Sequence, residues 1–423
     1  MLQISYIREN KDAVIAGLQK KNFKELDLID EVIALDESRR SLQSSSESVA
    51  AEANSSAKQI GDLMRQGKKE EAEAIKTATA GHKAQLKELN DELLRVEQEL
   101  HDKIVQLPNL PHQSVAFGVS ADDNEVVLEH GEIPALGADA LPHWELAAKY
   151  KLIDFELGTK IAGAGFPVYT GKGARLQRGL VNFFLDEAVK MGYSETQVPH
   201  AVNEASAYAT GQLPDKEGQM YHIGQDDLYM IPTAEVPLTN LYRDEIVKEE
   251  QFPIKHCAYT PCFRREAGSY GAHVRGLNRL HQFDKVETVQ IVQAEKSYET
   301  LEEMSAYVQS LLQKLELPYR VLRLCGGDMS FGSALTYDME TYSTAQQRWL
   351  EVSSVSNFET FQSNRLKVRY RNAEGKMTLA HTLNGSALAL PRIVATLLEN
   401  NQTERGIKIP AVLVPYVGFE YID

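Results

Sequence analysis

The sequence predicts an α+β protein in which a long antiparallel helical hairpin precedes a larger domain of strands and helices. Residues 29–104 contain no proline and only three glycines, Gly61, Gly67 and Gly81. Near the end of this stretch, apolar residues recur at alternating spacings of three and four, which is typical of a coiled-coil seam: Leu86, Leu89, Leu93, Val96 and Leu100. After residue 141 the pattern changes to short strand-like runs, glycine-rich turns and helices. We therefore expect an arm at 1–105, a linker at 106–140 and a larger domain at 141–423.

The predicted hairpin has a second, looser apolar stripe upstream, formed by Val32, Leu35, Leu42 and Val49. A polar run around Gly67 separates the stripes, so two helices that fold back there cover each other's apolar faces. Arms of roughly 30 residues are about 45 Å long and are expected to project from a globular domain. Periodicity leaves open whether the hairpin is a dimerisation arm or a recognition arm, since heptads report packing and not partners.

The clearest helix of the larger domain is predicted between Ala174 and Gly192. One apolar row contains Leu176, Leu180, Phe184 and Ala188, and the next contains Val181, Leu185 and Val189. Gly192 is a natural helix C-cap because glycine readily adopts a positive φ. The breadth of the apolar face indicates burial against a sheet or against another subunit.

Composition excludes several classes of protein. A formal charge of −15 over 423 residues argues against a general nucleic-acid coat, although a local basic surface remains possible. The three cysteines, Cys257, Cys262 and Cys325, form no C-x-x-C pair, so we expect reduced thiols that pack in the core. No apolar stretch approaches the roughly 20 residues of a membrane span, and the start of the chain carries charges where a signal peptide needs an apolar run. We expect a cytoplasmic protein with no membrane partner.

An arginine-rich loop is the most unusual segment for an acidic chain. It lies within FRREAGSYGAHVRGLNRLHQFDKVE, residues 263–287, between two runs rich in β-formers. In the second strand, period two puts His281, Phe283, Lys285 and Glu287 on one face. An aromatic ring, a carboxylate and nearby guanidinium groups suit a ligand that carries a purine, phosphates and an ammonium. The alternative is an exposed hairpin whose charges are merely solvated.

Two further segments favour the ligand-binding interpretation. In IPTAEVPLTN, Thr233 and Glu235 follow a strand-like run. In HTLNGSALALPRIVATLLENN, Pro391 is tolerated only in the first turn of a helix. Arg392 then lies near the positive end of the helix dipole, where phosphate binds well.

These segments resemble the motifs of a known family. Residues 263–287 resemble motif 2 of class II aminoacyl-tRNA synthetases in the seryl-tRNA synthetase form, NGSALALPR resembles motif 3, and residues 174–199 resemble motif 1. TAE at 233–235 and EVSSVSNF at 351–358 are seryl-type signatures. The resemblance covers essentially the whole chain and is to the bacterial type. It implies a class II catalytic domain with a mainly antiparallel sheet flanked by helices, and a tRNA-binding role for the hairpin arm.

The resemblance also implies an activity and partners. These are ATP-dependent attachment of L-serine to tRNA(Ser), and also to tRNA(Sec), through a seryl-adenylate, with Mg²⁺, in a homodimer. Arg264 is then expected to bind the α-phosphate of ATP and the serine carboxylate, Glu266 the adenine, Phe283 the purine face and Arg392 the γ-phosphate. The serine-binding residues implied are Thr233, Ala234, Glu235, Arg264, Glu287, Asn384 and Ser386. The further ATP-binding residues implied are Arg265, Glu351, Val352, Ser353 and Ser354, with Glu351 and Ser354 as the magnesium ligands.

The chain departs from the family pattern at one position, and one pair of predicted ligands needs a special geometry. Ala387 replaces the last glycine of the family's N-G-S-G, so a methyl group is added where the family's backbone approaches the nucleotide. Glu351 and Ser354 are three residues apart, so strict alternation in a strand would place them on opposite faces. We therefore expect a bulge or turn near Ser353.

The alternative functions are those of a catalytically reduced paralogue that binds RNA or protein, an amino acid:carrier-protein ligase on the same core, and a coiled-coil scaffold. The nearly complete motif set, the long arm and the arginine-rich loop argue against them in turn. Arg365, Lys367, Arg369 and Arg371 alternate with apolar residues, which we interpret as a strand with a solvated basic face rather than as a contact to the tRNA acceptor stem.

Overall fold

The computed structural model describes residues 1–137, 140–266 and 274–423. Within these ranges the chain forms two compact units. The first contains Leu2–Gln19 and Phe23–Pro108, and the second contains Asn109–Asp423 together with Met1 and Lys20–Asn22.

The first unit is helical and contains the predicted hairpin. Its helices are α1 (Ile4–Glu9), α2 (Lys11–Lys20), α3 (Leu28–Arg65), α4 (Lys69–Ala78) and α5 (His82–Ile104). Helices α3 and α5 run antiparallel, with the Ser46 hydroxyl 2.8 Å from Asn90 Oδ1 and Lys103 Nζ 2.5 Å from Glu31. Val96 and Leu100 of the predicted seam are buried. The hairpin is confirmed, although its returning arm is divided into α4 and α5.

The second unit is built around strands. Its helices are α6 (His143–Lys149), α7 (Phe155–Ala162), α8 (Gly171–Lys190), α9 (Glu204–Ala209), α10 (Glu235–Asn240), α11 (Ser297–Lys314), α12 (Thr360–Leu366), α13 (Leu390–Asn400) and α14 (Val414–Val417). Its strands are β1 (Glu125–His130), β2 (Ile153–Asp154), β3 (Val168–Tyr169), β4 (Ser194–Glu195), β5 (Ala201–Asn203), β6 (Tyr221–Ile223), β7 (Leu228–Met230), β8 (Ile246–Val247), β9 (Ile254–Phe263), β10 (Gln282–Val292), β11 (Tyr319–Arg323), β12 (Leu335–Ser343), β13 (Arg348–Glu359), β14 (Arg369–Arg371), β15 (Met377–Leu379), β16 (His381–Ala389), β17 (Ile407–Lys408) and β18 (Tyr421–Ile422).

In the described ranges, the largest sheet has eight strands in the order β1-β11-β12-β13-β16-β10-β9-β4. Neighbouring strands pair antiparallel except β4 and β9, which are parallel. Smaller sheets contain β5-β7-β6 and β15-β14-β8. The predicted α+β class with a mainly antiparallel sheet is confirmed.

The interval interpreted as a linker, residues 106–140, contributes a strand to this sheet. Glu125 pairs with Arg323 and His130 with Tyr319, so β1 forms the edge next to β11. All residues of β1 are exposed, including three apolar ones at 126–128. The acidic composition that indicated a loop is therefore that of a solvated edge strand.

Helix α8 packs on the sheet through the first of its two predicted apolar rows. Leu176, Leu180, Phe184 and Ala188 are at most 1% exposed. The helix ends where predicted, since Gly192 has φ +82° and the Tyr193 amide donates to the Ala188 carbonyl at 3.1 Å. Helices α11 and α13 bury apolar residues in the same core.

The basic strand predicted over 365–371 is wrong in its first half. Arg365 lies in the last turn of α12, where it is buried and donates to the carbonyls of Tyr208 and Leu213 at 2.9 and 2.8 Å. Lys367 has φ +58°, which ends the helix and breaks the alternation before β14. Sequence alternation was misleading because it coincided with a helix end.

Two other expectations concern the cysteines and membrane spans. Each of the three cysteines, all of which lie in the described ranges, is buried and carries a free thiol, as predicted. None of the described helices is long and apolar enough to cross a membrane.

Candidate active site

A cavity of about 610 Å³ lies on the large sheet. It is lined by side chains from β10, β13 and β16, from the start of α13 and from both ends of the arginine-rich loop. The predicted site residues that line it are Thr233, Glu235, Arg264, Glu266, Phe283, Glu287, Glu351, Val352, Ser353, Ser354, Asn384, Ser386 and Arg392. Residues 267–273, the middle of the predicted motif 2 loop, lie outside the described residues.

The structure turns two predicted site residues away from this cavity. Ala234 packs in a small core with Leu238 and Ala258. The Arg265 guanidinium lies 5.6 Å from the centre of the Tyr221 ring. Their positions in the motifs indicated binding, but local backbone direction gives their side chains other partners.

One end of the cavity is a buried acidic pocket that also contains a lysine. Glu235 and Glu287 are 8% and 2% exposed. Lys285 Nζ lies 2.5 Å from Glu287 Oε2 and donates to Thr233 Oγ1 at 2.9 Å. Sequence reasoning placed Lys285 on this face by period two but gave it no role. The lysine balances one carboxylate, which leaves the pocket suited to an added cation.

Gln362 is a second residue that sequence reasoning missed. Its Nε2 donates to Glu235 Oε1 at 2.6 Å, and its Oε1 accepts from Thr382 Oγ1 at 2.6 Å. Burial, and next the negative charge of Glu287, raise the pKa of Glu235 to about 7, against the hydrogen bond from Gln362. Near neutral pH, Glu235 therefore exists in both protonation states. No sequence signal pointed to Gln362, since it approaches from a distant helix.

The middle of the cavity combines a guanidinium with an aromatic face. The Arg264 guanidinium lies 5.3 Å from the centre of the Phe283 ring, and its Nε donates to the Pro232 carbonyl at 3.4 Å. Glu266 forms an ion pair with Arg279 at 2.8 Å. A flat heterocycle can stack on Phe283 while the arginines face its phosphates.

The far end is built by α13 and β13. Pro391 lies in the first turn of α13, as predicted, and Arg392 follows it. Arg392 Nε donates to the Asn278 carbonyl at 3.1 Å, and its Nη1 donates to the Glu351 carbonyl at 2.8 Å. These two backbone acceptors fix the guanidinium at the cavity wall.

The expected bulge in β13 is found within one residue of Ser353. Met339 pairs with Ser353 and Glu340 with Glu351, so Val352 is the extra residue in the ladder. Glu351 and Ser354 consequently line the same cavity. Ala387 lies in the core, on the opposite face of β16 from Ser386, so its methyl group points away from the cavity.

The donor set beside this bulge fits magnesium. Glu351 and Ser354 offer two hard oxygen atoms, and Mg²⁺ commonly combines few protein ligands with phosphates and waters. On the neighbouring strand β12, Asp338 pairs with Ser354, and burial and then the charge of Glu351 raise the pKa of Asp338 well above its ordinary value. In the described part of the chain, Asp338 Oδ1 has no hydrogen-bond partner and no cluster of three His, Cys, Asp or Glu side chains could hold a metal. A magnesium ion held by Glu351 and Ser354 would therefore need phosphate oxygens of a bound nucleotide to complete its coordination shell.

Comparisons with known proteins agree with this geometry. Residues 1–111 match the seryl-tRNA synthetase N-terminal domain, and residues 220–401 match the tRNA synthetase class II core domain (G, H, P, S and T). A serine--tRNA ligase of Salinibacter ruber is 52% identical over 100% of this chain and 99% of its own. The chain belongs to the seryl-tRNA synthetase family.

Solved structures of the seryl-tRNA synthetase family have the same fold. The seryl-tRNA synthetase of Pyrococcus horikoshii complexed with ATP is 30% identical, with a TM-score of 0.92 and 99% of each chain covered. The cytoplasmic serine-tRNA ligase of Naegleria fowleri in complex with AMP is 25% identical, with a TM-score of 0.88, and covers 100% of this chain and 99% of its own. The resemblance drawn from the motifs is thereby confirmed.

Proposed function

We propose that this protein activates L-serine with ATP and transfers the seryl group to tRNA(Ser), and also to tRNA(Sec). The observation that carries the proposal is the buried pocket of Glu235, Glu287 and Lys285, which opens directly onto Arg264 and Phe283. A small ligand with an ammonium and a hydroxyl satisfies the pocket, and its carboxylate then faces Arg264. The relatives named above support ATP as the second substrate.

The proposed division of labour follows the cavity from end to end. Thr233, Glu235 and Glu287 hold the ammonium and hydroxyl of serine, and Asn384 and Ser386 close the pocket. Alanine is rejected because it leaves these buried polar groups unpaired. Threonine is rejected by steric closure.

Activation needs no nucleophilic side chain. Arg264 bridges the serine carboxylate and the α-phosphate, Phe283 holds the purine, and Arg392 takes the γ-phosphate. Positioning the carboxylate in line with the α-phosphorus and neutralising the developing charge supply the acceleration. Glu351 and Ser354 would hold Mg²⁺, which neutralises phosphate charge when it is bound.

The deciding experiment is amino-acid-dependent ATP–pyrophosphate exchange, followed by charging of tRNA(Ser) and tRNA(Sec) transcripts. We expect exchange with serine and very little with alanine or threonine. A catalytically reduced paralogue would bind tRNA without exchange, and a carrier-protein ligase would exchange but charge neither tRNA.

The pKa of Glu235 predicts a pH dependence for serine binding. The ammonium of serine pairs best with the ionised carboxylate of Glu235. At pH values below the Glu235 pKa of about 7, this ionised form is the minor one. The KM for serine should therefore fall as pH rises from 6 to 8, by roughly tenfold per unit at the acid end, and then level off. The KM for ATP serves as the control and should lack this profile.

The variant Glu235→Gln tests the assignment of that profile. It keeps the size of the side chain but cannot ionise, so serine binding should be weak and should no longer follow this titration. If the wild-type profile persists in the variant, another group is responsible for it.

We also propose that the protein is a homodimer formed through the outer face of α8. A groove of about 770 Å³ runs along this face and is lined by two residues of the second apolar row, Val181 and Leu185, and by Tyr259. Tyr259 is 39% exposed, and Val189, which belongs to the same apolar row of α8, is 48% exposed. Apolar surface of this kind is typical of an interaction site.

Sedimentation measurements check the dimer. The wild type should have about twice the chain mass of 47.3 kDa. Leu185→Glu should shift the mass towards that of one chain, whereas Leu94→Glu, at a position 65% exposed on α5, should not. A wild type of single-chain mass at micromolar concentration would contradict the proposal.

A further inference from the structure

A buried polar cluster lies behind the active-site cavity and takes no part in the roles proposed above. At its centre are His143, the first residue of α6, and Glu399, near the end of α13, and both side chains are 0% exposed. The cluster reaches the end of the arginine-rich loop at residues 275–279. It therefore connects two elements that carry proposed ATP-binding groups.

The hydrogen bonds of His143 fix its tautomer. The backbone amide of Leu277 donates to His143 Nε2 at 2.8 Å, so Nε2 is an acceptor and carries no proton. The proton is then on Nδ1, which lies 2.6 Å from Glu399 Oε1 and donates to it. The imidazole thus connects a loop amide on one side to a helix carboxylate on the other.

Glu399 is held as a carboxylate by several donors. The His143 backbone amide donates to Oε1 at 2.8 Å, Gln346 Nε2 donates to it at 2.9 Å, and the Ser343 hydroxyl donates to Oε2. Burial opposes ionisation, but the hydrogen bonds from His143 and Ser343 outweigh it and hold the pKa of Glu399 below its ordinary value. A charged, fully partnered acceptor of this kind orients the imidazole strongly.

The loop is shaped to receive the imidazole. Gly276 has φ +67°, and a Cβ atom there would lie 2.3 Å from His143 Nε2. Any side chain at 276 would displace the ring, so glycine is required for both backbone conformation and space. The contact between the loop and the histidine therefore depends on two residue types, glycine at 276 and histidine at 143.

The same loop segment supports Arg392. Asn278 follows Leu277, whose amide donates to His143. The Asn278 carbonyl accepts from Arg392 Nε at 3.1 Å. Its side-chain amide donates to Gln346 Oε1 at 2.9 Å, and Gln346 in turn contacts Glu399. Arg392 and Glu399 are seven residues apart and lie on the same face of α13. Residues 277–278 are thus connected to both ends of this helix face: to Arg392 by a direct hydrogen bond, and to Glu399 through His143 and Gln346.

We propose that His143 is a positioning residue for ATP: by clamping the Leu277 amide to Glu399, it fixes the carbonyl that orients the Arg392 guanidinium. The inference rests on the proposed function, in which Arg392 takes the γ-phosphate of ATP. The clamp lies at the end of the cavity proposed to hold the γ-phosphate. Glu235 and Glu287, which are proposed to hold serine, lie at the other end. Loss of the clamp should therefore weaken the binding of ATP and leave the binding of serine unchanged.

The variants His143→Asn and His143→Gln separate the two hydrogen bonds of the ring. An asparagine amide can donate to Glu399 from near the Nδ1 position but does not reach Leu277. A glutamine carbonyl can reach the Leu277 amide from near the Nε2 position. We expect His143→Asn to raise the KM for ATP in pyrophosphate exchange by about tenfold, as for one buried hydrogen bond, with the KM for serine unchanged. His143→Gln should recover most of that loss.

A matched control shows what a merely structural defect does. Tyr193→Phe removes a buried hydrogen bond, since Gln290 Nε2 donates to the Tyr193 hydroxyl at 2.8 Å, and it lies in the same core away from the loop. If Tyr193→Phe lowers thermal stability as much as His143→Asn does, it should still leave the KM values for ATP and for serine unchanged. If His143→Asn changes ATP and serine equally, or changes neither, the clamp is wrong.

Hydrogen exchange tests the clamp without using the activity. In the wild type the Leu277 amide should be protected, and in His143→Asn it should exchange at least about tenfold faster, with no change in Tyr193→Phe. If the wild type shows no serine-dependent exchange of pyrophosphate, the proposed function fails while this measurement still decides the clamp. An unprotected Leu277 amide in the wild type would overturn the clamp alone.

Discussion

Replacing Arg264 by alanine is expected to lower serine-dependent ATP–pyrophosphate exchange by a factor of roughly 10²–10³ while the fold stays intact. Arg264 lies between the acidic pocket and Phe283, so one guanidinium can contact both the serine carboxylate and the α-phosphate. Loss of a donor aimed at transition-state charge costs roughly 3–4 kcal/mol. The measurement is the exchange rate at saturating serine and ATP, with circular dichroism to check folding.

The neighbouring arginine provides the control for this prediction. The Arg265 side chain lies over the Tyr221 ring, outside the cavity, but it has the same charge and belongs to the same motif. Arg265→Ala should therefore keep most of the exchange activity. Equal losses in the two variants would show that charge in this region matters and that the specific contact of Arg264 does not.

Deleting residues 41–93 is expected to abolish charging of tRNA and to leave serine activation nearly intact. The deletion removes the far part of the hairpin, but the buried base residues Ile29, Val32, Val96, Leu100 and Ile104 remain. The joined ends face each other, because the contact between Ser46 and Asn90 sets the register of the two helices. Exchange of pyrophosphate and aminoacylation, measured on the same preparation, separate the two activities.

The reason for expecting a tRNA contact is the basic tip of the hairpin. Its basic residues are Lys58, Arg65, Lys68, Lys69, Lys76 and Lys83. Three of them make ion pairs with acidic neighbours three residues away, which moderates their attraction for phosphate. Charging by the wild type should weaken steeply with salt, as phosphate contacts do. Loss of activation on deletion would instead make the hairpin part of the catalytic fold, and surviving charging would leave it a structural arm.

The sequence was informative wherever a local pattern has one physical meaning. Heptad spacing predicts two packed helices, and the hairpin of α3 and α5 buries Val32, Val49, Val96 and Leu100 of the predicted stripes. Gly192 and Pro391 fix a helix end and a helix start because their backbone constraints act within one turn. Period two placed Phe283, Lys285 and Glu287 on one face of β10, and the spacing of Glu351 and Ser354 required the bulge that is found at Val352.

Local patterns failed where the partner comes from far along the chain. Residues 365–371 alternate like a strand, but tertiary packing buries Arg365 against the carbonyls of Tyr208 and Leu213. The exposed acidic strand β1 was interpreted as part of a linker, since an edge strand is defined by the strand beside it and not by its own composition.

By itself, the sequence determined the fold class, the helical arm and the residue types of the site, because periodicity, backbone constraints and motif order act over short distances. Only the tertiary structure decided which groups meet. It brought Gln362 to Glu235, raised the pKa of Glu235 to about 7 by burial beside Glu287, and joined His143 to Glu399 across 256 positions. Hydrogen bonds and desolvation depend on distances in space, and sequence separation does not encode them.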